Sequence, residues 1–479
     1  MAQSISQEAI GATGLPGATA ASRHAGATTS GAPTTGTFAV GDFIVDQSGA
    51  MWVCTVAGTP GTWQLSGVSV NENIAGKNFL INGGMDIWQR GTSFSVASVT
   101  TPYTADRWQT LAFGTNTITC SQVTANVKTT STSSVTIGTG SLSFTISTGL
   151  VIAAGQGFEA YYTSGTLNAV YGTVTSYNSS TGVLVANITN TIGSGTYAAW
   201  TVTVATLPQF NYALRTQRNS GNTSTGAIYQ AQTVETSNSI PLAGKTITLS
   251  FWMRVGANFS GSTMTVGINA GFGNDGNVIA GMTGSVSVIL SSCTPTTSWQ
   301  LFTFNGTVPS GATQIGLSLS YTPSGTAGAA DYFDITGLQI EIGNTATPFS
   351  RAGGSIGGEL SLCQRYFYKV YSQNAASVNE KVAIGQATST TAALFQIPLP
   401  VTMRTAPTGA ISSLGASSFA IVNSSNTNAS AVTSLSYEST TPNNVSLSTS
   451  LGGSWLSTGN AALLIGNSAG WYLGFSAEL

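Results

Sequence analysis

The sequence predicts an all-β, multi-domain protein, and three observations carry that reading. Short runs of Val, Ile, Thr and aromatic residues with period-two alternation recur along the 479 residues, separated by Gly-, Asn- and Ser-rich turns. The polar residues are mostly Thr and Ser, which together with Val and Gly form helices poorly. Charged residues make up only 6% of the chain, against about 25% in an ordinary soluble domain. The 41% of hydrophobic residues supplies real cores, so the low charge does not signal disorder. The length suits roughly two to four domains.

Taken in order, residues 1–35 read as an extended arm. Gly11, Gly14 and Gly17 have collagen spacing but are too few for a triple helix. Residues 36–76 read as a small β-unit and connector, with strands over 38–40, 43–45, 51–54 and 62–65 and a core of Trp52 and Trp63. A unit this small buries little surface and is marginal alone, which favours packing against symmetry mates. A β-sandwich follows over 77–126 and 206–352. Its opening has a strand start at 78–81, a turn at Asn82-Gly83-Gly84 and an aromatic strand over 103–108. Its later strands fall at 212–217, 227–234, 246–255, 263–270, 286–290, 301–307, 314–321 and 332–342, the number and spacing of an antiparallel, jelly-roll-like sandwich.

Residues 127–205 have another texture, with short β-branched strands over 134–137, 142–146, 170–177, 183–189 and 198–204. They read as a small β-module inserted at a loop tip, where insertion disturbs little backbone. Residues 353–479 read as a short helix and a C-terminal β-domain. The helix is expected over 359–368, with Leu360, Cys363 and Phe367 on one face. The strands beyond it are expected at 381–387, 394–399, 445–449, 462–465 and 471–475.

A net charge of −2 without a basic run argues against nucleic-acid binding. No apolar run reaches bilayer length, which argues against membrane insertion. The first residues, MAQSISQEAI, lack the pattern of a signal peptide, so the chain is expected to stay in a cytosol until released. Cys54, Cys120, Cys293 and Cys363 are widely spaced and read as buried free thiols. The single histidine, His24, lies in the arm, which argues against a histidine-based triad. The GxSxG strings at 353–357 and 466–470 lack a strand-to-helix setting. Gly271, Gly273 and Gly276 match a dinucleotide fingerprint without the helix it needs. Asp86, Asp106, Glu235, Asp275, Asp331, Asp334 and Glu341 show no spacing that marks a glycosidase pair. No catalytic residue and no cofactor is assigned.

Sugar binding needs aromatic faces beside hydrogen-bonding groups. Trp108 and Trp252 alternate as core residues. Trp88 and Tyr103 lie nearer turns and are the binding candidates, with Arg90 and Asp106 beside them for hydroxyls. Arg90 has a structural alternative, pairing with Asp86 or Asp106.

NFLINGGMDIWQRGTSF at 78–94 with YTADRW at 103–108 resembles the opening of a β-sandwich in tail fibre and minor tail (receptor-binding) proteins of tailed bacteriophages. That sandwich is similar to family 4/9 carbohydrate-binding modules. TITLSFWMRV at 246–255, SWQLFTFNGTV at 298–308, DYFDITGLQIEIGNTATPF at 331–349, ELSLCQRYFY at 359–368 and YLGFSAEL at 472–479 extend the resemblance. SSVTIGTGS at 133–141 resembles a small module of phage fibres. The resemblance implies a virion protein, an arm that attaches to other virion proteins, a homotrimer, and non-catalytic adsorption to host-surface polysaccharide. It also allows a structural calcium held by Asn82, Asp86 and Asp334. A head fibre or decoration protein and a capsule depolymerase are the alternatives.

Overall fold

The computed structural model of the chain describes residues 31–47, 50–66, 74–98, 100–164, 168–207, 209–372, 380–412, 415–423 and 429–479. Residues 1–30 of the expected arm, His24 included, and most of the expected connector lie outside the described residues. The chain divides into two compact units, Met1–Asn71 and Glu72–Leu479.

In the first unit, Phe43–Val45, Met51–Val56 and Thr62–Ser66 form a three-stranded antiparallel meander. Its buried residues are Ile44 and Cys54, with Asp42 and Asp46. Trp52 and Trp63, expected to be the core, are only half-buried. Each is instead pinned by its indole N–H, Trp52 to the Asp46 carboxylate at 3.1 Å and Trp63 to the Pro60 carbonyl at 2.9 Å. A three-stranded sheet with short strands has one thin buried layer, too shallow to cover two indoles.

The second unit is almost entirely β. Its centre is a sandwich of two antiparallel sheets. One has the strand order Gln300–Thr307, Thr246–Val255, Tyr332–Ile342, Tyr212–Arg218, Ile118–Thr124, Ser93–Val96. The other runs Val286–Cys293, Met264–Gly271, Gln314–Tyr321, Ile228–Val234, Gln109–Ala112. Alternation decides what lies between them. Ile247, Leu249, Phe251 and Met253, with Phe333 and Ile335 of the same sheet, point inward against Val266, Ile268, Leu317 and Leu319, and Trp108 joins them with no exposure.

Ile118–Thr124 and Tyr212–Arg218 pair directly, with Thr124 opposite Tyr212. The chain between them forms a six-stranded sheet of its own, ordered Val127–Ser131, Trp200–Ala205, Gly157–Tyr162, Ala169–Tyr177, Val183–Ile192, Gly140–Thr145, with Trp200, Phe144 and Phe158 at its core. Beyond the sandwich, six strands close into a barrel: Glu380–Ala387, Ala392–Pro398, Asn444–Leu451, Ala429–Thr441, Phe419–Asn423 and Ala461–Gly466. A three-stranded sheet of Phe367–Tyr371, Tyr472–Ser476 and Thr408–Ser412 lies with it in the same core.

Two local expectations are corrected. Residues 78–92 and 103–108 are turns and bends, not strands. Asn82, Met85 and Arg107 take left-handed backbone angles there, with φ of 58°, 57° and 71°, which no strand allows. The Asn82 side chain stitches the turn, donating to the Ile87 and Asp106 carbonyls and accepting from the Ile87 N–H. Gly83 is required here, because a Cβ would stand 2.1 Å from the Leu338 carbonyl oxygen. The helix is Ile356–Gln364, and Phe367 belongs to the strand that follows. Ser355 caps it by accepting the Gly358 N–H, which starts the helix earlier than its apolar spacing suggests. The four cysteines are free and buried, as expected.

One buried ion pair bears on the sandwich's stability. Arg218 and Asp331 are both fully buried and meet at 2.7 Å, and Arg218 also donates to the Asn222, Ser224 and Gly325 carbonyls. Asp331→Ala, which leaves the guanidinium without its counter-ion, is expected to destabilise the unit by roughly 3–5 kcal/mol. The check is the chemical-denaturation midpoint, and an unmoved midpoint would show that the carbonyls alone suffice.

Candidate functional site

Of the four residues proposed for sugar contact, Arg90, Tyr103 and Asp106 come together, but beside the chain's own last residues. Arg90 donates to Glu478 at 2.9 Å and lies over the Phe367 ring at 3.7 Å and the Tyr103 ring at 5.4 Å. The Tyr103 hydroxyl donates to a main-chain oxygen of Leu479 at 2.9 Å. Asp106 is buried, accepts the Gln89 N–H and stands 3.8 Å from Arg90. Trp88 is half-buried against Phe94, and its indole N–H is bound to the Met85 carbonyl.

Arg107, which the sequence did not single out, completes this joint. Its guanidinium pairs with Glu478 and lies 3.6 Å over the Tyr366 ring. Arg404 donates to the Ala477 and Glu478 carbonyls and to Asp275. Arg365 and the Tyr366 hydroxyl both bind Glu235. These groups fasten the barrel-bearing end of the chain to the sandwich.

Asn82, Asp86 and Asp334 do not form one ligand set. Asn82 is committed to the backbone as described. Asp86 is paired with Arg351 at 2.9 Å. Asp334 is held by Arg215 at 2.8 Å and Arg254 at 2.9 Å. The oxygens a hard cation needs therefore face guanidinium groups. Among the described residues no group of three or more His, Cys, Asp or Glu side chains is placed to hold a metal.

The open site lies elsewhere, on the outer face of the six-stranded sandwich sheet. Because Ile247, Leu249, Phe251 and Met253 face the core, Thr248, Ser250, Trp252 and Arg254 face away from it. Trp252, expected in the core, is thus an outer-face residue. Its alternation with Thr248, Ser250 and Arg254 was the signal in the sequence. Trp252 lines a cavity of about 440 Å³ with Ser250, Leu301, Thr347, Phe349 and Arg351. A β-bulge on the neighbouring strand, between the partners of Ser250 and Trp252, includes Gly337 with a φ of 64°, and Gly337 forms part of the cavity wall.

A second cavity, of about 610 Å³, lies beside it and is lined by Lys128, Leu150, Arg215, Arg254 and Tyr332. The stem of the inserted sheet helps shape this face. Ala125, Leu207 and Phe210 pack with Trp252, Trp299 and Phe349, and the Trp299 indole donates to the Ala125 carbonyl at 3.0 Å.

No protein family and no curated protein matches the chain. Solved structures resemble it weakly. A family 4 carbohydrate-binding module is 19% identical, the match covering 27% of this chain and 71% of the module, with a TM-score of 0.20. A family 61 module solved with β-1,4-galactotriose is 16% identical over 28% of this chain and 72% of its own, with a TM-score of 0.19. The enzymatically active domain of tailspike protein 4 from bacteriophage CBA120 is 14% identical over 28% of this chain and only 16% of its own, with a TM-score of 0.19. At such scores the likeness bears on neither ligand nor activity. Among the described residues no helix is long and apolar enough to cross a membrane.

The joint has a pH signature. Burial alone would raise the Glu235 carboxyl, but hydrogen bonds from Arg365 and Tyr366 hold it below its ordinary value. Its contribution is present above the unfolded value, about 4.3, and is lost as pH falls through the lower folded value. Glu235→Gln is expected to lower the melting temperature at neutral pH, with the gap to wild type closing as the solution is acidified below that range. A gap that does not change with pH would refute the assignment.

Proposed function

We propose that the chain is a non-catalytic, carbohydrate-binding protein of a bacteriophage fibre, adsorbing to host-surface glycans through the outer face of the six-stranded sheet. The observation that carries this reading is the open cavity at Trp252. Trp252, Leu301 and Phe349 contribute apolar lining, while Ser250 and Gln209 contribute hydrogen-bonding side chains beside it. That mixture suits a sugar, whose ring faces are apolar and whose rim is hydroxylated. The motifs at 78–108 support the particle setting, since they resemble fibre and minor tail proteins.

The seven sandwich acids weighed as a glycosidase pair support binding without bond cleavage. Asp86, Asp106, Glu235, Asp275, Asp331 and Asp334 each have an arginine partner, and Glu341 stands 3.9 Å from Lys77 and accepts from Gln339 and Thr347. Carboxylates neutralised in this way are poorly placed to act as a glycosidase pair. Ser355 of the first GxSxG string serves as a helix cap. Repetition of one weak site across a homotrimer raises avidity without a tight contact.

Glycan-array and calorimetric binding by the full chain tests the reading. Trp252→Ala is expected to weaken binding by about tenfold or more, ~1.4 kcal/mol. Prolonged incubation is expected to release no reducing ends. Reducing-end release, or failure to bind any host envelope glycan, would refute it.

A further inference from the structure

The second cavity differs from the first in charge. Lys128, Arg215 and Arg254 line it and no acid does; the carboxylate of Asp334 lies buried beneath the two arginines. Arg215 grips Asp334 through Nε and Nη2, and Arg254 reaches it through Nε alone. The terminal Nη1 and Nη2 groups of Arg254 therefore donate to nothing among the described residues, and Lys128 is exposed with no ion partner there. Three cations thus line one open space of about 610 Å³, with a single carboxylate beneath two of them.

The two guanidinium groups are held in place before any ligand arrives. Arg215 lies 3.6 Å over the Tyr332 ring and Arg254 lies 4.7 Å over the Trp299 ring. A planar fork fixed between an acid and an aromatic face loses little freedom when it binds a carboxylate in two-point fashion. Trp252 of the first cavity and Arg254 of the second are two residues apart on one face of one strand, about 7 Å along it. A single oligosaccharide spans that distance.

Resting on the proposed glycan-binding function, we infer that the preferred ligand is an acidic saccharide. A carboxylated sugar ring takes the cationic cavity, bound by Arg254 and Lys128, while a neighbouring ring rests at Trp252. The inserted sheet supplies Lys128, so this specificity depends on the insertion as well as the sandwich.

The experiment uses the full chain in calorimetry with trigalacturonate and triglucuronate, the methyl esters of both, and inorganic phosphate. The acids are expected to bind at least about tenfold more tightly than their esters, the worth of one charge-assisted contact, and to weaken as salt is raised. Lys128→Gln and Arg254→Gln are each expected to weaken acid binding about tenfold. Lys128→Gln guards the test against misfolding, because that side chain is exposed and unbonded. Equal affinity for acid and ester overturns the inference and leaves glycan binding standing. Phosphate binding as tightly as the acids also overturns it, since the cavity would then read charge without sugar. Binding of neither saccharide class, alongside no binding to host envelope glycans, removes the proposed function as well.

Discussion

Glu478 sits between Arg90 and Arg107, and much of the second unit depends on that contact. The two arginines come from the turn-rich segment that opens the sandwich, and the glutamate from the last strand's extension. Each guanidinium is also stacked, one on Phe367 and the other on Tyr366. In a low-dielectric setting such a pair is strong only while both partners are present and aligned. It therefore selects one orientation of the barrel-bearing end over all others.

The same logic explains a composition with so few charges. Arg218 with Asp331, Arg351 with Asp86, Arg365 with Glu235 and Arg404 with Asp275 each join segments far apart in sequence. Charge is concentrated at joints, and hydroxyls and amides cover much of the remaining surface. The outer face of the six-stranded sheet is arranged differently. There Arg254 keeps free donors and Trp252 keeps an open side. The stem of the inserted sheet shapes this face, because its linkers bury Ala125, Leu207 and Phe210 against Trp252 and Trp299.

Strand positions were legible because side-chain alternation is a local property. The strands at 246–255, 314–321 and 332–342 have the bounds read from the sequence. Strand Ala429–Thr441 was missed because two register shifts break the alternation of Val432, Leu435 and Tyr437 in a Ser- and Thr-rich run, and Gly157–Tyr162 was missed as well. The stretches 78–92 and 103–108 were misjudged for another reason. Their apolar residues resemble strands, yet the Asn82 side chain and three left-handed residues bend them into turns.

By itself the sequence determined the fold class, most of the sandwich strands and the burial of the cysteines, because each follows from composition or from neighbours within a few residues. Only the tertiary structure decided that Arg90, Tyr103 and Asp106 meet the chain's last residues, and that Trp252 and Arg254 line open cavities. Those outcomes rest on partners such as Glu478, 388 positions from Arg90. No local pattern encodes a contact at that separation. It appears only when the sheets have stacked and the cations find the anions they bury.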